Sequence, residues 1–333
     1  MTQHDRQALR AAVIGLGSMG LNHARVYAGI EGVDLAAVAD VSPERLLSPT
    51  HGRAATYDDY RRMLAEERLD LVSVCVPTLL HHDVALAAID RRVAVLVEKP
   101  IAATLDEGRA MAKAAQDAGV PLMVGHVERF NPAVTELRRQ LDAGKLGCVF
   151  QLHARRTGPF PQRVRDVGVV HDLAPHDIDV MCFLVESAPE RVYAETLRGI
   201  ATKHEDMLSG ILRFHNGAVG ILDVNWLTPV KVRQLSLLGE NGLLQADYLS
   251  QQLTFYPRGP DGHLSDATPR AIEVESAEPL RLELEAFVDA VRRGVAPPVT
   301  AEDGLAALEI ASLLVESART GAAINVPQGD RLD

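Results

Sequence analysis

With 333 residues the chain is too long for one typical hydrophobic core, and its 47% hydrophobic and 24% charged content is ordinary, so we predict two globular domains. The formal net charge of −11 argues against non-specific binding to nucleic acid. Because we find neither a signal peptide nor an apolar run of about 18 residues that would cross a membrane, we expect a cytoplasmic protein without a membrane partner.

The first 125 residues alternate between short apolar runs and helical stretches. Six runs predict β-strands, at residues 11–15, 33–40, 54–56, 70–76, 93–97 and 120–125. Helices are predicted between them, among others at residues 57–67, 81–91 and 105–118. Strands separated by helices are typical of βαβ units, so residues 1–126 predict an α/β domain with a doubly wound parallel sheet of the Rossmann type.

Residues 127–333 show a different pattern, with seven successive strands predicted at residues 148–156, 189–196, 207–215, 218–226, 233–239, 242–246 and 253–257. Helices are predicted at residues 170–185, 279–293 and 302–319. We therefore expect an α+β domain for substrate binding and oligomerisation, with a large, mostly antiparallel open sheet. A C-terminal helix could pack back on the first domain. No predicted helix covers one face of the sheet, so we expect a homodimer or homotetramer.

A glycine-rich turn, Gly15-Leu16-Gly17-Ser18-Met19-Gly20, joins the first strand to the first helix. Gly15 permits the tight turn, Gly17 leaves room for a pyrophosphate, and Gly20 lets the helix approach the strand. The helix N-terminus attracts the phosphates. Asp40 ends the second strand, where a carboxylate accepts hydrogen bonds from a ribose 2′-hydroxyl and repels a 2′-phosphate. We therefore predict NAD rather than NADP, while an FAD or nucleotide-sugar site on the same fold stays open.

Two further segments, Pro77-Thr78 and Glu98-Lys99-Pro100, follow the fourth and fifth strands. Ligands of open α/β sheets bind at this carboxyl edge, so both segments are predicted to border the cofactor. The Lys99 ammonium could stabilise a developing alkoxide there. His81 begins the next helix and is a further candidate for this pocket. The alternatives are an ordinary surface lysine at a strand end and an ordinary histidine at a helix start.

The second candidate group is Asp172, His176 and Asp179, whose spacing places them on one face of a helix. A histidine is the natural proton acceptor when an alcohol is oxidised near neutral pH. Asp172 could bind the substrate hydroxyl and Asp179 could orient the imidazole. Pro175 disfavours helical geometry just before it, so we expect a kink or a helix start there. An ordinary polar helix start is the alternative. A metal site is not predicted, because the zinc-protease spacing and a third nearby histidine are absent.

Arginines are unusually dense in two places of this acidic chain. Their guanidinium groups can bind phosphates through two parallel hydrogen bonds, so a phosphate-bearing substrate such as a nucleotide sugar is predicted. Surface ion pairing is the alternative. The predicted substrate-binding residues are Asp172, His176, Arg129 with the nearby Asn131, Arg156 and Arg163, and Arg155 and Arg165 belong to the same basic stretch.

Together these motifs resemble the Gfo/Idh/MocA oxidoreductase family over nearly the whole chain. The resemblance implies that Lys99, Asp172 and His176 form the catalytic group, although the family motif usually has glycine where this chain has Ala174. Residues 125–132 and the stretch from 158 to 172 are similar to one subgroup, the UDP-N-acetylglucosamine 3-dehydrogenases. That similarity implies oxidation of the sugar 3-hydroxyl to a 3-keto sugar with NAD.

Two other functions remain open from the sequence. The family also contains inositol dehydrogenases and other free-sugar or polyol dehydrogenases. It further includes non-catalytic NAD-binding sensors, against which the joint presence of Lys99, Asp172 and His176 argues.

Overall fold

The structure is a computed structural model that describes residues 8–160, 168–201, 203–259 and 268–327. The chain forms two compact units, one of residues 1–127 with 278–305 and one of residues 128–277 with 306–333. Within the described ranges, no helix has both the length and the apolar character needed to cross a membrane.

The first sheet has six strands, all paired in parallel, in the order β3-β2-β1-β4-β5-β6. The strands are β1 (Leu9–Ile14), β2 (Val33–Ala39), β3 (Ala55–Tyr57), β4 (Leu71–Val74), β5 (Ala94–Glu98) and β6 (Leu122–Gly125). The helices between them are α1 (Ser18–Tyr27), α2 (Pro43–Leu46), α3 (Tyr60–Glu66), α4 (His81–Ile89) and α5 (Leu105–Ala118). This strand order is that of a doubly wound Rossmann sheet.

Local sequence explains how these elements begin and end. Thr104 and Glu107 form a capping box at the start of α5, and Gly119 ends this helix in the left-handed conformation. The central strands β4 and β5 are buried along their whole length, as their nearly continuous apolar sequences predict.

The second sheet has nine strands in the order β14-β13-β12-β11-β7-β10-β9-β8-β15, of which only the β7–β10 pair among these described strands is parallel. The strands are β7 (Val149–Pro159), β8 (Pro189–Arg198), β9 (Glu205–Phe214), β10 (Val219–Asn225), β11 (Leu227–Gly239), β12 (Gly242–Asp247), β13 (Gln252–Pro257), β14 (Arg270–Ile272) and β15 (Ile324–Asn325). The helices of this part of the chain are α6 (Pro132–Asp142), α7 (Val169–Val185), α8 (Pro279–Arg293) and α9 (Ala301–Thr320). The predicted fold class, a parallel Rossmann sheet followed by a mostly antiparallel one, is confirmed.

One face of the second sheet forms the core of its unit. Leu152 and Ala154 of β7 and Leu222 of β10 are fully buried there, together with Val170 and Ile178 of α7. Alternate residues of the same strands point to the other face, as the two-residue period of a strand requires. We call this other face the open face; one register row on it is formed by Tyr193, Ile211, Ile221, His153 and Ser236.

Helix α8 lies in the first unit. The domain division predicted from the sequence placed residues 279–293 in the second domain. It also allowed a C-terminal helix to pack on the first domain. Contacts with α1 hold α8 there. Arg25 forms an ion pair with Glu278, and the Arg281 guanidinium donates to the carbonyl of Gly29 at 3.2 Å.

Candidate functional site

The glycine turn is tight at both ends and open in the middle. Gly15 has a φ of +89°, and a Cβ there would lie 2.7 Å from the carbonyl oxygen of Cys75. A Cβ on Gly20 would lie 1.7 Å from the carbonyl oxygen of Gly15. A Cβ on Gly17 would meet no atom within 4 Å. Helix α1 begins at Ser18 with no acidic residue in its first turn, so its N-terminus suits an anionic diphosphate.

Asp40 lies directly after β2 and faces this turn. Its carboxylate accepts the N–H of Leu16 at 2.6 Å and the N–H of Ser42 at 2.8 Å. Nη1 of Arg45 lies 3.3 Å from the same carboxylate. The Asp40 side chain is 3% exposed, whereas that of Arg45 is 53% exposed. The predicted ribose-binding carboxylate is therefore tied to the glycine turn and carries a guanidinium on its outer side.

The two segments at the carboxyl edge are joined by His81. Its Nδ1 lies 2.9 Å from the carbonyl oxygen of Pro100 and its Nε2 lies 3.0 Å from that of Val76. Burial lowers the pKa of His81, although both carbonyls oppose the shift. His81 is only 1% exposed, so this predicted cofactor residue acts on the backbone of the two segments. Around it Pro77 is exposed and Thr78 and Lys99 are half-buried.

Glu98 belongs to a segment that was predicted to border the cofactor, but its side chain points into the unit. The residue is 8% exposed, and its Oε1 lies 3.0 Å from Nε2 of His23 on α1. Ser73 and Tyr27 continue this buried chain. His23 was not predicted as a functional residue, and its only signal in the sequence is a polar residue on the apolar side of α1.

Helix α7 carries the second group of predicted catalytic residues. Asp172 and His176 are half-buried and lie one helical turn apart, so they share a face. The helix begins at Val169, before Pro175, which lies inside it. The helix start expected at Pro175 is therefore not observed. Pro175 has no N–H to bond the carbonyl of His171.

Two arginines that were predicted to bind a diphosphate instead bind aspartates of α7. Arg129 donates to both carboxylate oxygens of Asp179, at 2.7 and 2.6 Å. Arg156 donates to both oxygens of Asp177, at 2.7 and 3.1 Å, and to Glu128 at 2.9 Å. The Arg156 side chain is 4% exposed. These contacts commit both guanidinium groups to partners inside the unit, and Asp179, which was predicted to orient His176, pairs with Arg129.

Asn131 also has a structural place rather than one open to substrate. It is 2% exposed and caps α6, where its Oδ1 accepts the N–H of Ala133 at 3.1 Å. Its Nδ2 donates to the carbonyl of Tyr248 at 3.1 Å. The remaining predicted arginines, Arg163 and Arg165, lie outside the described residues. Arg129 and Arg156, two of the arginines from which a phosphate-bearing substrate was predicted, are therefore committed to carboxylates of their own unit.

A Rossmann sheet with an open glycine turn, a lysine at its carboxyl edge and a separate sheet domain carrying an aspartate–histidine pair defines a nicotinamide-dependent dehydrogenase. The comparison with family models agrees. The NAD-binding Rossmann fold of the GFO_IDH_MocA oxidoreductase family matches residues 9–126, and that family's C-terminal alpha/beta domain matches residues 138–326. The chain belongs to the Gfo/Idh/MocA oxidoreductase family, and the resemblance seen in the motifs is confirmed.

Characterised relatives act on different sugars and polyols. A D-xylose 1-dehydrogenase (NADP(+)) of Haloferax volcanii is 30% identical over 93% of this chain and 98% of its own length. A UDP-N-acetylglucosamine 3-dehydrogenase of Acidithiobacillus ferrooxidans is 30% identical over 85% and 88%. Its solved structure superposes with a TM-score of 0.84 and 28% identity, covering 94% of this chain and 98% of that one. A scyllo-inositol 2-dehydrogenase (NAD(+)) of Bacillus subtilis is 26% identical over 94% and 95%.

Proposed function

We propose that the protein oxidises a secondary hydroxyl of a sugar with NAD, and that the 3-hydroxyl of UDP-N-acetylglucosamine is the preferred substrate group. The observation that carries the dehydrogenase assignment is the carboxyl edge of the first sheet. There the open glycine turn, the inward-tied Asp40 and the half-buried Lys99 follow β1, β2 and β5. Asp172 and His176, one turn apart on α7, supply the groups that proton transfer needs.

In the proposed reaction a bound nicotinamide supplies the hydride acceptor. The imidazole of His176 takes the proton of the substrate hydroxyl as the carbon–hydrogen bond breaks and its electron pair leaves as hydride. Asp172 accepts a hydrogen bond from the substrate and orients that hydroxyl. The Lys99 ammonium stabilises the negative charge that develops on the oxygen before the carbonyl forms.

The choice of UDP-N-acetylglucosamine rests on similarity. The subgroup stretches at residues 125–132 and 158–172 and the relative from Acidithiobacillus ferrooxidans support it. Asp40 supports NAD over NADP because its carboxylate would repel a 2′-phosphate. A non-catalytic NAD-binding sensor would not need Lys99, Asp172 and His176 together.

A free sugar or polyol is the second candidate substrate, and one observation favours it. Arg129 and Arg156 hold aspartates of their own unit, so they are not available to grip a diphosphate. The similarity to a D-xylose dehydrogenase is as high as that to the nucleotide-sugar enzyme.

The test follows NADH absorbance with purified protein, NAD and a panel of UDP-N-acetylglucosamine, D-xylose and scyllo-inositol. We expect turnover with the UDP-sugar and oxidation at its 3-carbon, which product analysis by NMR would locate. Turnover of only the free sugar or the inositol would move the assignment to the second candidate. Tight NADH binding without turnover of any member would contradict an enzymatic function and favour a sensor.

A further inference from the structure

His81 joins two stretches of backbone that follow neighbouring strands of the first sheet, and the proposed mechanism gives it no task. The parallel register of β4 with β5 ends at the pair Val74 and Val97. Just beyond each strand, a backbone carbonyl lies within hydrogen-bond distance of the same imidazole. Nε2 of His81 lies 3.0 Å from the carbonyl oxygen of Val76, and Nδ1 lies 2.9 Å from that of Pro100. The ring therefore bridges the two strands where their own pairing has ended.

The two carbonyls belong to the segments that the sequence predicts at the cofactor. We call residues 76–80 the β4 segment and residues 99–103, which begin with Lys99, the β5 segment. Each carbonyl lies beside a proline, Pro77 in one segment and Pro100 in the other, and a proline ring fixes its own φ and restricts the residue before it. A change in the direction of either carbonyl therefore moves a stiff stretch of backbone, which in the β5 segment includes the backbone of Lys99.

The imidazole of His81 itself has a fixed base. The residue is buried and is the first residue of α4. Val84, Ala85 and Ala88 of the same helix are also buried, so α4 is packed against the sheet along this side. Because the helix holds the ring in place, His81 can set the distance between the β4 segment and the β5 segment.

The protons of the ring decide which carbonyl is held. A carbonyl oxygen only accepts, so each bond needs an N–H on the imidazole, and the neutral ring carries one N–H whereas the imidazolium carries two. Burial lowers the pKa of His81, while the bonds to the carbonyls of Pro100 and Val76 and the charge of Glu98 oppose this shift. At neutral pH the ring is therefore neutral, and each of its two tautomers holds one segment.

We propose that His81 is a positioning residue with two separable tasks: its Nε2 fixes the β4 segment for cofactor binding, and its Nδ1 fixes the β5 segment, and with it Lys99, for the chemical step. The inference rests on the proposed function, from which it takes the roles of the two segments. It gives each ring nitrogen its own consequence, which an ordinary buried histidine at a helix start would not have.

Two conservative variants separate the two bonds. In His81→Asn the amide nitrogen takes the place of Nδ1, so it can donate to the carbonyl of Pro100 but not to that of Val76. In His81→Gln the amide nitrogen takes the place of Nε2, so it can donate to Val76 but not to Pro100. His81→Leu removes both bonds.

The first test measures the opening of each segment without any substrate, by hydrogen–deuterium exchange and mass spectrometry on the full-length protein with NAD. We expect His81→Asn to speed exchange at residues 78–80 about three- to tenfold, the effect of one lost hydrogen bond on local opening, while residues 101–103 exchange as in the wild type. His81→Gln should give the reverse pattern. His81→Leu should speed exchange in both segments.

His82→Asn and His82→Gln are the matched controls. His82 is the next residue of α4, and its Nδ1 lies 2.9 Å from Oδ1 of the neighbouring Asp83. Both control variants should exchange like the wild type in both segments. If His81→Asn and His81→Gln share one pattern, or if their two patterns are interchanged, the inference is overturned. These two variants decide the outcome even if His81→Leu does not fold.

The second test combines NADH fluorescence titration with turnover of whichever substrate the panel identifies. His81→Asn should raise the Kd of NADH about three- to tenfold and leave kcat within about twofold of wild type. His81→Gln should lower kcat about tenfold and leave the Kd of NADH within about twofold, because it misplaces Lys99. Equal losses of both quantities in the two variants would indicate a merely structural role and would contradict the inference. A wild-type protein that turns over nothing would defeat the proposed function, whereas the exchange patterns would still decide whether His81 holds the two segments separately.

Discussion

Among single residues, Asp40 carries the proposed preference for NAD, and its surroundings make that preference less absolute than the sequence suggests. Both carboxylate oxygens already accept backbone N–H groups, from Leu16 and Ser42. Arg45 places a half-exposed guanidinium on the outer side of the carboxylate. A 2′-phosphate would therefore meet a repelling carboxylate and an attracting guanidinium in the same place.

We predict that the wild-type protein binds NADH about tenfold more tightly than NADPH, because the nearly buried carboxylate is screened less by solvent than the half-exposed arginine. Asp40→Ser should reduce this preference for NADH or reverse it. Arg45→Met should increase the preference, because it weakens the binding of NADPH and leaves that of NADH unchanged. Nicotinamide fluorescence titrations with both cofactors measure the ratio. An unchanged ratio in both variants would show that neither residue faces the ribose.

His176 has the clearest chemical prediction at this scale. His176→Ala should lower kcat about 10²–10⁴-fold, the usual contribution of a general base, while NADH binding stays within about twofold of wild type. Steady-state kinetics and the fluorescence titration together measure both quantities. His171→Asn on the same helix is the control, since it perturbs α7 without removing the proposed base, and it should cost far less activity. A variant of His176 with wild-type kcat would exclude its role.

The residues that could be predicted from the sequence are those that belong to short motifs, whose members lie close together in the chain. The glycine turn, Asp40 and the segment at Lys99 could be predicted because each is placed by the strand just before it. His23 and Glu98 are separated by 75 positions, and no local sequence pattern indicates that they form a hydrogen bond. A long-range pair between buried polar groups becomes visible only when the strand order is known.

At the scale of elements, helix α7 is held by two arginine–aspartate pairs, Arg129 with Asp179 and Arg156 with Asp177. Burial alone would lower the pKa of Arg156, but Asp177 and Glu128 raise it well above the usual value, so the guanidinium remains charged. The ring of Tyr248 lies 5.6 Å from this guanidinium. The sequence shows arginines and their density but not their partners, which is why they were assigned to a phosphate.

We predict that Arg156→Met lowers the free energy of unfolding by about 3–5 kcal/mol, because it leaves the buried carboxylate of Asp177 without its cation. The double variant Arg156→Met/Asp177→Leu should recover a substantial part of this loss, since it removes both charges. Urea unfolding followed by circular dichroism and by the fluorescence of the single tryptophan, Trp226, measures the change.

Arg319→Met is the control for the loss of an arginine side chain. Arg319 pairs with Glu316 on the exposed side of α9, at 65% and 45% side-chain exposure, and its loss should change stability much less. A double variant that is no more stable than Arg156→Met would show that packing, not the unpaired charge, sets the cost.

At the scale of the whole chain, the sequence predicted both sheets but not the path of the chain through the two units. The strands of each sheet follow one another in the sequence, and the pattern of apolar residues in each strand indicates a β-strand, so both sheets could be predicted. Helix α8 is separated from the rest of its unit by the 150 residues numbered 128–277. Its amphipathic pattern does not indicate which of the two units it packs in. Only the contacts with α1 settle that point.

The open face of the second sheet is the face for which the sequence predicts no covering helix and therefore a contact with a second copy of the chain. It is formed by alternate residues of adjacent strands, among them Tyr193 of β8, Ile211 of β9, Ile221 of β10, His153 of β7 and Ser236 of β11, which lie in one register row. Ile211 is 47% exposed. In the next row Arg155 lies 3.5 Å from Asp223. Apolar side chains beside charges of both signs suit a second copy of the same face, since a twofold contact must be self-complementary.

We therefore propose that the protein forms a homo-oligomer through this face, and we predict a solution mass of at least twice the 36.1 kDa of one chain by light scattering. Ile211→Glu should shift the mass toward that of a single chain at micromolar concentration, because it buries a carboxylate against the apolar row of the partner. Leu249→Glu is the matched control, since Leu249 is 53% exposed in the turn between β12 and β13 and lies off this face. Its mass should equal that of the wild type. If Ile211→Glu kept the wild-type mass, the contact would lie elsewhere on the chain, and a wild-type mass of one chain would remove the proposal altogether.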